Sequence, residues 1–325
     1  MLRKIIVLYN LQTGDESIKE ADGDTVRAAV GASDALSTLG FDVNHFAVSE
    51  SNMDKVSDLK ADLIFNLIEW SGRNSLLGVQ VLQILEKSGL KFTGSGSWGY
   101  GLSCNKILVK EYLDRHRIAT PKWKVLDGSE TNFDDFNFPV IVKPVYEHCG
   151  IGVSQSSVVR NEKELKRQVK KVVADFSQPV IVEEFIEGDE LHVTVLEKSG
   201  HPWVLPPARI TYQQKKGYWP LLTYLSKWQD GNWENELSQI SESKLTDETR
   251  GAAISCFKNL GGRSYPRYDM RVDSKGKVYV LDVNNNPGID FDPESGITIS
   301  AKAAGLNFEQ LVDNIVKEAY DSPIV

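Results

Sequence analysis

The sequence predicts a mixed chain: an α/β N-terminal part built on a parallel sheet, followed by α+β parts whose strands pair antiparallel. Three observations carry this. Residues 1–100 alternate short apolar runs with amphipathic helical stretches. Residues 101–190 place two β-branched runs on either side of a glycine-containing turn. Residues 267–284 read as a hairpin about Asp273-Ser274-Lys275-Gly276. The boundaries expected from these changes of character are 1–100, 101–190 and 191–325.

The elements follow in order. Residues 4–8 are a buried strand; the apolar run is too short for a secretory signal, and Asn10, Gln12 and Asp15 follow at once. Residues 25–39 carry Val26, Ala29, Val30, Leu36 and Leu39 at helical spacing and stop at Gly40. Strands follow at 41–46 and 61–68, then a helix at 75–87 closed by Gly89. A helix near 105–116 ends before Pro121. Strands 139–145 and 151–158 flank the turn 146–150, with a charged helix at 162–174 and a strand at 179–182 behind them. Strands 192–196 and 203–210 lead into a long irregular stretch, 211–243, that holds Trp219, Trp228 and Trp233. A connection of that length is functional or mobile unless it is a plain surface excursion. A helix at 247–260, the hairpin and a helix at 308–320 complete the chain.

Composition narrows the function. The chain has 325 residues, 41% hydrophobic, and a net charge of −8. That sign gives no general attraction to nucleic acid or to an anionic membrane, and no run reaches the roughly 18 apolar residues of a membrane span. Cys104, Cys149 and Cys256 form neither a disulfide framework nor a zinc pattern. A reducing, cytoplasmic setting is expected.

The hairpin carries the most chemistry. Side chains alternate faces along a strand. If Val272 pairs with Lys277, then Arg267 faces Asp282 and Asp269 faces Val280. Arg267, Asp269, Asp282 and Asn284 then share one face, and Tyr268, Met270, Val272, Leu281 and Val283 form the core face. Two carboxylates and an amide suit Mg²⁺, which takes a few protein oxygens plus phosphate. The alternative is a solvated face with a surface ion pair, and a bulged turn would change the register. Asn284-Asn285-Asn286-Pro287-Gly288 after it either presents backbone N–H groups to an anion or is an ordinary turn.

Two further segments have chemical character. Lys143 ends an apolar strand just before Glu147-His148-Cys149-Gly150-Ile151-Gly152, where loop amides and an ammonium can cradle phosphate. The spacing is neither a Walker loop nor a dinucleotide fingerprint, and His148 has no second histidine at ligand spacing. The strand ending in Glu183-Glu184-Phe185-Ile186-Glu187-Gly188-Asp189-Glu190 is rich in acceptors, as adenosine recognition requires, or is an edge-strand charge cluster.

Taken together and in order, these segments resemble the ATP-grasp carboxylate–amine ligases, and the D-alanine–D-alanine ligase family in particular. The resemblance rests on Phe65-Asn66-Leu67, Thr93-Gly94-Ser95, Asn105-Lys106, Val142-Lys143-Pro144, Glu183 to Glu190, Tyr224-Leu225-Ser226-Lys227, Asp282-Val283-Asn284 and Pro287-Gly288. It implies an ATP-grasp fold: an N-terminal Rossmann-like parallel-sheet domain, a central antiparallel α+β lid subdomain, and a C-terminal α+β catalytic domain with a mobile loop at 211–243. It also implies ATP with two Mg²⁺ (or Mn²⁺) as cofactors, small amino-acid or peptide substrates, and a possible homodimer.

By that resemblance, Lys106 and Lys143 contact ATP phosphates, and Glu183, Ile186 and Glu190 meet adenine and ribose. Lys227 reaches the γ-phosphate, Asp269, Asp282 and Asn284 hold the metal ions, and Arg267 stabilises the tetrahedral intermediate. Cys149 and Gly288 fall at catalytic loop positions. The implied reaction makes an acyl phosphate, which an amine then converts to an amide.

The substrate half departs from the family pattern. Where the family has a histidine–glycine segment, the sequence reads Glu69-Trp70-Ser71-Gly72-Arg73-Asn74. The first loop, Asn10-Leu11-Gln12-Thr13-Gly14-Asp15, with Asp22 and Asp24 later, lacks the glycine pair and its glutamate. A family serine is Cys149 and a family tyrosine is Trp228. After Pro287-Gly288 comes an acidic segment, Asp290, Asp292, Glu294, Ser295. Substrates other than two D-alanines are expected, and the acidic segment favours an amine-bearing or cationic second substrate. A kinase of the same fold and a non-catalytic ATP-binding module are the alternatives. A nicotinamide dehydrogenase is excluded by the absence of a Gly-x-Gly-x-x-Gly after the first strand.

Overall fold

The structure, a computed structural model, describes residues 3–12, 14, 19–70, 72–129, 136–229, 231–289 and 291–321. Expectations placed on Met1, Leu2, Thr13, Asp15, Ser71 and Asp290, and on the side chains of Asp22 and Arg73, lie outside the described residues.

The first sheet is parallel, ordered Asp42–Val48, Lys4–Asn10, Leu63–Leu67. Strand Leu63–Leu67 is buried on both faces, as expected of a parallel sheet covered by helices. The residues around Phe92 add only a single bridge to Ile64. Helix Ser75–Ser88 covers one face and ends at Gly89, whose φ of 69° is the left-handed cap position. Helix Asp24–Thr38 covers the other face and shares it with the last helix, Phe308–Asp321. One continuous core therefore joins Ile5, Val7 and Leu36 to Leu196, Tyr265, Leu311 and Ile315.

A four-stranded antiparallel sheet follows, ordered Trp123–Leu126, Val180–Glu184, Val140–Pro144, Val158–Val159 and backed by helix Glu162–Phe176. Here the structure corrects the sequence reading. The expected strand 151–158 is reduced to Val158–Val159, which pairs with Ile141 and Val140. The reason lies in the backbone: Cys149, Gly150 and Gly152 all have positive φ, at 55°, 77° and 77°, a conformation no strand can contain. Ser154 and Ser157 then close a capping box over a short 3₁₀ turn. The segment is a loop, with Gly152 packed close against Pro144 and Phe176.

The third sheet is antiparallel, ordered Ser238–Glu242, Ala208–Tyr212, Asp189–Lys198, Arg267–Val272, Val278–Asn284, with His201–Val204 paired to the far end of Asp189–Lys198. Helices Lys106–Arg115 and Asp247–Asn259 pack beneath it. The stretch 211–243 is less irregular than expected. Tyr212 still belongs to a strand, Tyr224–Trp228 is a helix, and Ser238–Glu242 pairs with Ala208–Tyr212. Helices Ser97–Ser103 and Gly296–Ala303 were not anticipated. The first lies in glycine- and serine-rich sequence whose local preference is for turns, and the second is a short helix capped by Ser295, whose side chain accepts from the Thr298 amide. Among the described residues no helix is long and apolar enough to cross a membrane.

Candidate active site

A cleft lies between the second and third sheets. Its floor is the hairpin of Arg267–Val272 and Val278–Asn284, in a register different from the expected one. Arg267 pairs with Asn284 and Asp269 with Asp282, and then a shift aligns Met270 with Val280 and Val272 with Val278. Two offsets produce this. The turn runs over residues 273–277, one longer than expected, because Asp273 Oδ1 accepts from the Lys275 and Lys277 amides at 2.8 and 2.9 Å. Leu281 then forms a β-bulge. Val283 stays buried, while Val280 moves from the expected polar face into the core and Leu281 from the expected core to the cleft wall. The four polar residues keep a common face because direct cross-strand partners share it.

On that face Arg267 grips Asp269 with two hydrogen bonds, Nε to Oδ1 at 2.8 Å and Nη2 to Oδ2 at 3.2 Å. Asn284 Nδ2 donates to Asp269 Oδ2 at 3.1 Å. Lys106 Nζ stands 3.2 Å from Asp282 Oδ2 and donates to the Glu147 carbonyl at 2.6 Å. Burial, the largest single influence, would raise both carboxyl pKa values; Arg267 and its neighbours together outweigh it at Asp269, Lys106 with Lys143 and other neighbours at Asp282, and both are held below the usual carboxylate range. His192 Nε2 approaches Asp269 at 3.8 Å, but burial lowers its pKa to about 4 and keeps it neutral at pH 7.

The second wall holds the acceptor-rich strand. Glu183 is buried between two ammonium groups: Lys110 Nζ at 2.5 Å on Oε1, and Lys143 Nζ on Oε2. Burial would raise its pKa, and the two lysines together hold it at about 2. Lys110 is fixed in turn by the Thr120 hydroxyl and the Leu281 carbonyl. Glu190 accepts from Arg271 Nη2 and from the Tyr212 hydroxyl, both at 2.9 Å. Arg271 also donates to the Ile186 carbonyl at 2.7 Å and lies over the Phe185 ring. One guanidinium thus fixes both ends of the 186–190 turn.

The roof is the phosphate-loop candidate and the long connection docked on it. Trp228 Nε1 donates to the Cys149 carbonyl at 2.8 Å, and the Tyr224 amide to the Val153 carbonyl at 3.1 Å. Gln155 exchanges two hydrogen bonds with the Trp219 backbone. Helix Tyr224–Trp228, capped by Thr223, carries Lys227 into the cleft.

At the end nearest the first sheet, Cys149 Sγ faces Glu69 Oε1 at 3.7 Å. A methyl group at Gly288 would stand 3.2 Å from Glu69 Oε2 and 3.5 Å from Asp24 Oδ2. Burial and then the Asp24 charge raise the Glu69 pKa to about 7, against Arg267, Cys149 and Lys227. Asp292 and Glu294 are exposed and outside the cleft wall, with Asp292 accepting from the Glu294 amide.

The donor set suits a nucleotide with a hard cation. Asp269, Asp282 and the Asn284 amide offer oxygens on one face, and His148 Nε2 is a buried nitrogen in the cleft wall with no hydrogen-bond partner among the described residues. Among those residues no group of three or more His, Cys, Asp or Glu forms a metal cage, so a bound Mg²⁺ would draw further oxygens from phosphate or water.

Residues 112–317 match the family model described as "D-ala D-ala ligase C-terminus". The chain belongs to that family. Among the family's ligases, one from Bordetella petrii, named D-alanine–D-alanine ligase, is 28% identical over 98% of this chain and 92% of its own length. An uncharacterised Sinorhizobium fredii protein, y4sG, is 29% identical over 79% of this chain and 74% of its own. The fold matches that of the D-alanine–D-alanine ligase from Bacillus anthracis solved with ATP, at a TM-score of 0.75 and 22% identity, covering 98% of each chain. The fold is therefore ATP-grasp, as the resemblance implied.

Within this family frame, every sequence-expected site residue except Gly288 lines the cleft, and Gly288 stands beside Glu69 and Asp24 at its end. Sequence reasoning missed Arg271, Lys110 and His192. The signal for Arg271 was present: it lies two residues beyond Asp269, on the same strand face. Lys110 sits one turn after Lys106 on one helix. Nothing local marked the Asp24–Glu69 pair, which joins two distant segments.

Proposed function

We propose that the chain is an ATP-dependent ligase that joins the carboxylate of an amino acid or peptide to an amine through an acyl phosphate. The observation that carries this is the convergence in one cleft of Lys106, Lys143, Lys227 and Arg267 on the face of Asp269, Asp282 and Asn284. A phosphoryl transfer that creates a second, acyl-bound phosphate needs such balanced charge.

In this reading Lys106 and Lys143 hold ATP phosphates, Ile186 and Glu190 the adenosine, and Lys227 the γ-phosphate. Glu183 fixes Lys143 and Lys110 in place. Asp269, Asp282 and Asn284 hold Mg²⁺, which when bound spreads phosphate charge and aligns the oxygens. Arg267, with its guanidinium pinned by Asp269, stabilises the oxyanion that develops as the amine attacks. The docked 213–237 connection excludes water that would hydrolyse an acyl phosphate.

The substrates differ from two D-alanines in this proposal. Glu69, Cys149 and Trp228 support it, since they replace family residue types around the acyl end. The test is ADP release with Mg-ATP against D- and L-amino acids, singly and paired, with product masses. Release that requires a pair, with a product of pair mass minus water, supports ligation and names the substrates. A stable phosphorylated product from one compound would replace the ligase proposal with a kinase. ATP binding without turnover across acids and amines would leave a binding module.

A further inference from the structure

We infer that Glu69 is the proton acceptor for the incoming amine, with the Cys149 thiol and Asp24 positioning and tuning it; this rests on the ligase reading.

Three geometric facts converge on Glu69. First, its carboxylate stands at the meeting of three segments that carry the acyl-transfer machinery. Oε1 faces Cys149 Sγ at 3.7 Å, and Oε2 would lie 3.2 Å from a methyl placed on Gly288. Second, the backbone is pinned there: the Glu69 amide donates to Asn10 Oδ1 at 2.8 Å, and the neighbouring Gly72 amide donates to the Tyr146 carbonyl at 3.0 Å. Third, Asp24 Oδ2, from the first long helix, would lie 3.5 Å from the same Gly288 methyl, and Arg267 of the hairpin and Lys227 of the docked connection act on the carboxylate through their charge. Cys149, by burial and then the Glu69 charge, keeps its proton, so the thiol can only donate to the carboxylate. A carboxylate poised at about 7 by burial and by Asp24 is matched to general-base work at neutral pH.

The step balances. The amine nitrogen attacks the acyl-phosphate carbonyl, the C–N bond forms, and the C–O bond to phosphate breaks with its electron pair leaving on phosphate. A protonated amine gives up two protons on becoming an amide N–H. One passes to Glu69, and the other leaves with phosphate as HPO₄²⁻.

The experiment uses the full chain with Mg-ATP and the acid that supports ADP release. Two nucleophiles are compared: the amine substrate, which needs deprotonation, and hydroxylamine, which is largely neutral at pH 7 and traps acyl phosphate as a hydroxamate. Glu69→Gln should lower amide formation by about 10²–10⁴-fold and leave hydroxamate formation within a few-fold. Asp24→Asn, which keeps the Glu69 carboxylate, should move the acidic limb of the amide pH profile to lower pH. The proposal is overturned if Glu69→Gln lowers both products equally, which would make Glu69 a ligand of the acid, or if it lowers neither. An unmoved acidic limb in Asp24→Asn also counts against it. A wild-type protein that forms no hydroxamate while releasing ADP would overturn the ligase reading and this inference together.

Discussion

The indole N–H of Trp228 donates to the backbone carbonyl of Cys149 at 2.8 Å, so the roof of the cleft is fastened by the residue pair that departs from the family pattern. The bond ties the helix that carries Lys227 to the loop that carries the thiol. Trp228→Phe keeps an aromatic ring, smaller than the indole, and removes the donor. A hydrogen bond of this kind contributes about 1 kcal/mol. The ratio of ADP released to amide formed should rise by about fivefold, as water gains access to the acyl phosphate; a ratio equal to that of the wild type would remove the coupling role.

Glu183 and Lys110 are a buried pair whose partners cannot be separated cheaply. Lys110→Met leaves Glu183 with Lys143 alone, and breaking such a pair costs about 3–5 kcal/mol. Chemical denaturation should register that loss. The pH dependence has a definite sign. The Glu183 pKa is depressed from 4.5 to about 2 on folding. Its contribution is present above 4.5 and is lost as pH falls toward 2. The stability difference between wild type and Glu183→Gln should therefore shrink over that window.

Arg271 should be intolerant of lysine. The planar fork reaches Glu190 and the Ile186 carbonyl at once and lies over Phe185. A lysine keeps the charge and loses the fork. Nucleotide affinity of Arg271→Lys, followed by calorimetry, should fall by about tenfold or more, while a comparable change at exposed Lys244 should leave it unaltered.

Gly188 turns the segment between Ile186 and Glu190 with φ at 152°, and a methyl there would meet the Val272 carbonyl oxygen at 2.0 Å. No flexible side chain can yield, because the obstacle is backbone. Gly188→Ala should cost about 1–3 kcal/mol and weaken nucleotide binding with it, through displacement of Ile186 and Glu190. A variant of unchanged thermal midpoint would contradict the close approach.

Much of the cleft was legible because its residues sit on strands, where alternation assigns faces. Arg267, Asp269, Asp282 and Asn284 share a face even though the expected pairing was off. The turn and the bulge were illegible for a physical reason: each depends on a local hydrogen-bond choice, that of Asp273 in the turn and that of Leu281 against its partner strand. The same alternation marks Arg271, which was overlooked. Asn285 and Asn286 show the opposite case. They read as turn residues, yet their side chains are buried and bonded to Gly99, Leu260 and Ser95. Those contacts fasten the hairpin's end to the glycine-rich segment at 94–99. The Asp24–Glu69 pair came from no local pattern, since the packing of helix Asp24–Thr38 against the sheet brings its first residue and the segment after strand Leu63–Leu67 together beside Gly288.

The last helix, Phe308–Asp321, belongs to the same core as the first strand. A ribosome delivers the chain from its N-terminus, so the parallel sheet emerges long before the piece that seals one of its faces. Ile5, Val7 and Leu63 face that side of the sheet and must wait for Leu311 and Ile315. During synthesis the early sheet is an unfinished surface, open to chaperones and to stray association. A truncation that removes only the final helix would therefore open the core of the beginning of the protein as well as that of its end.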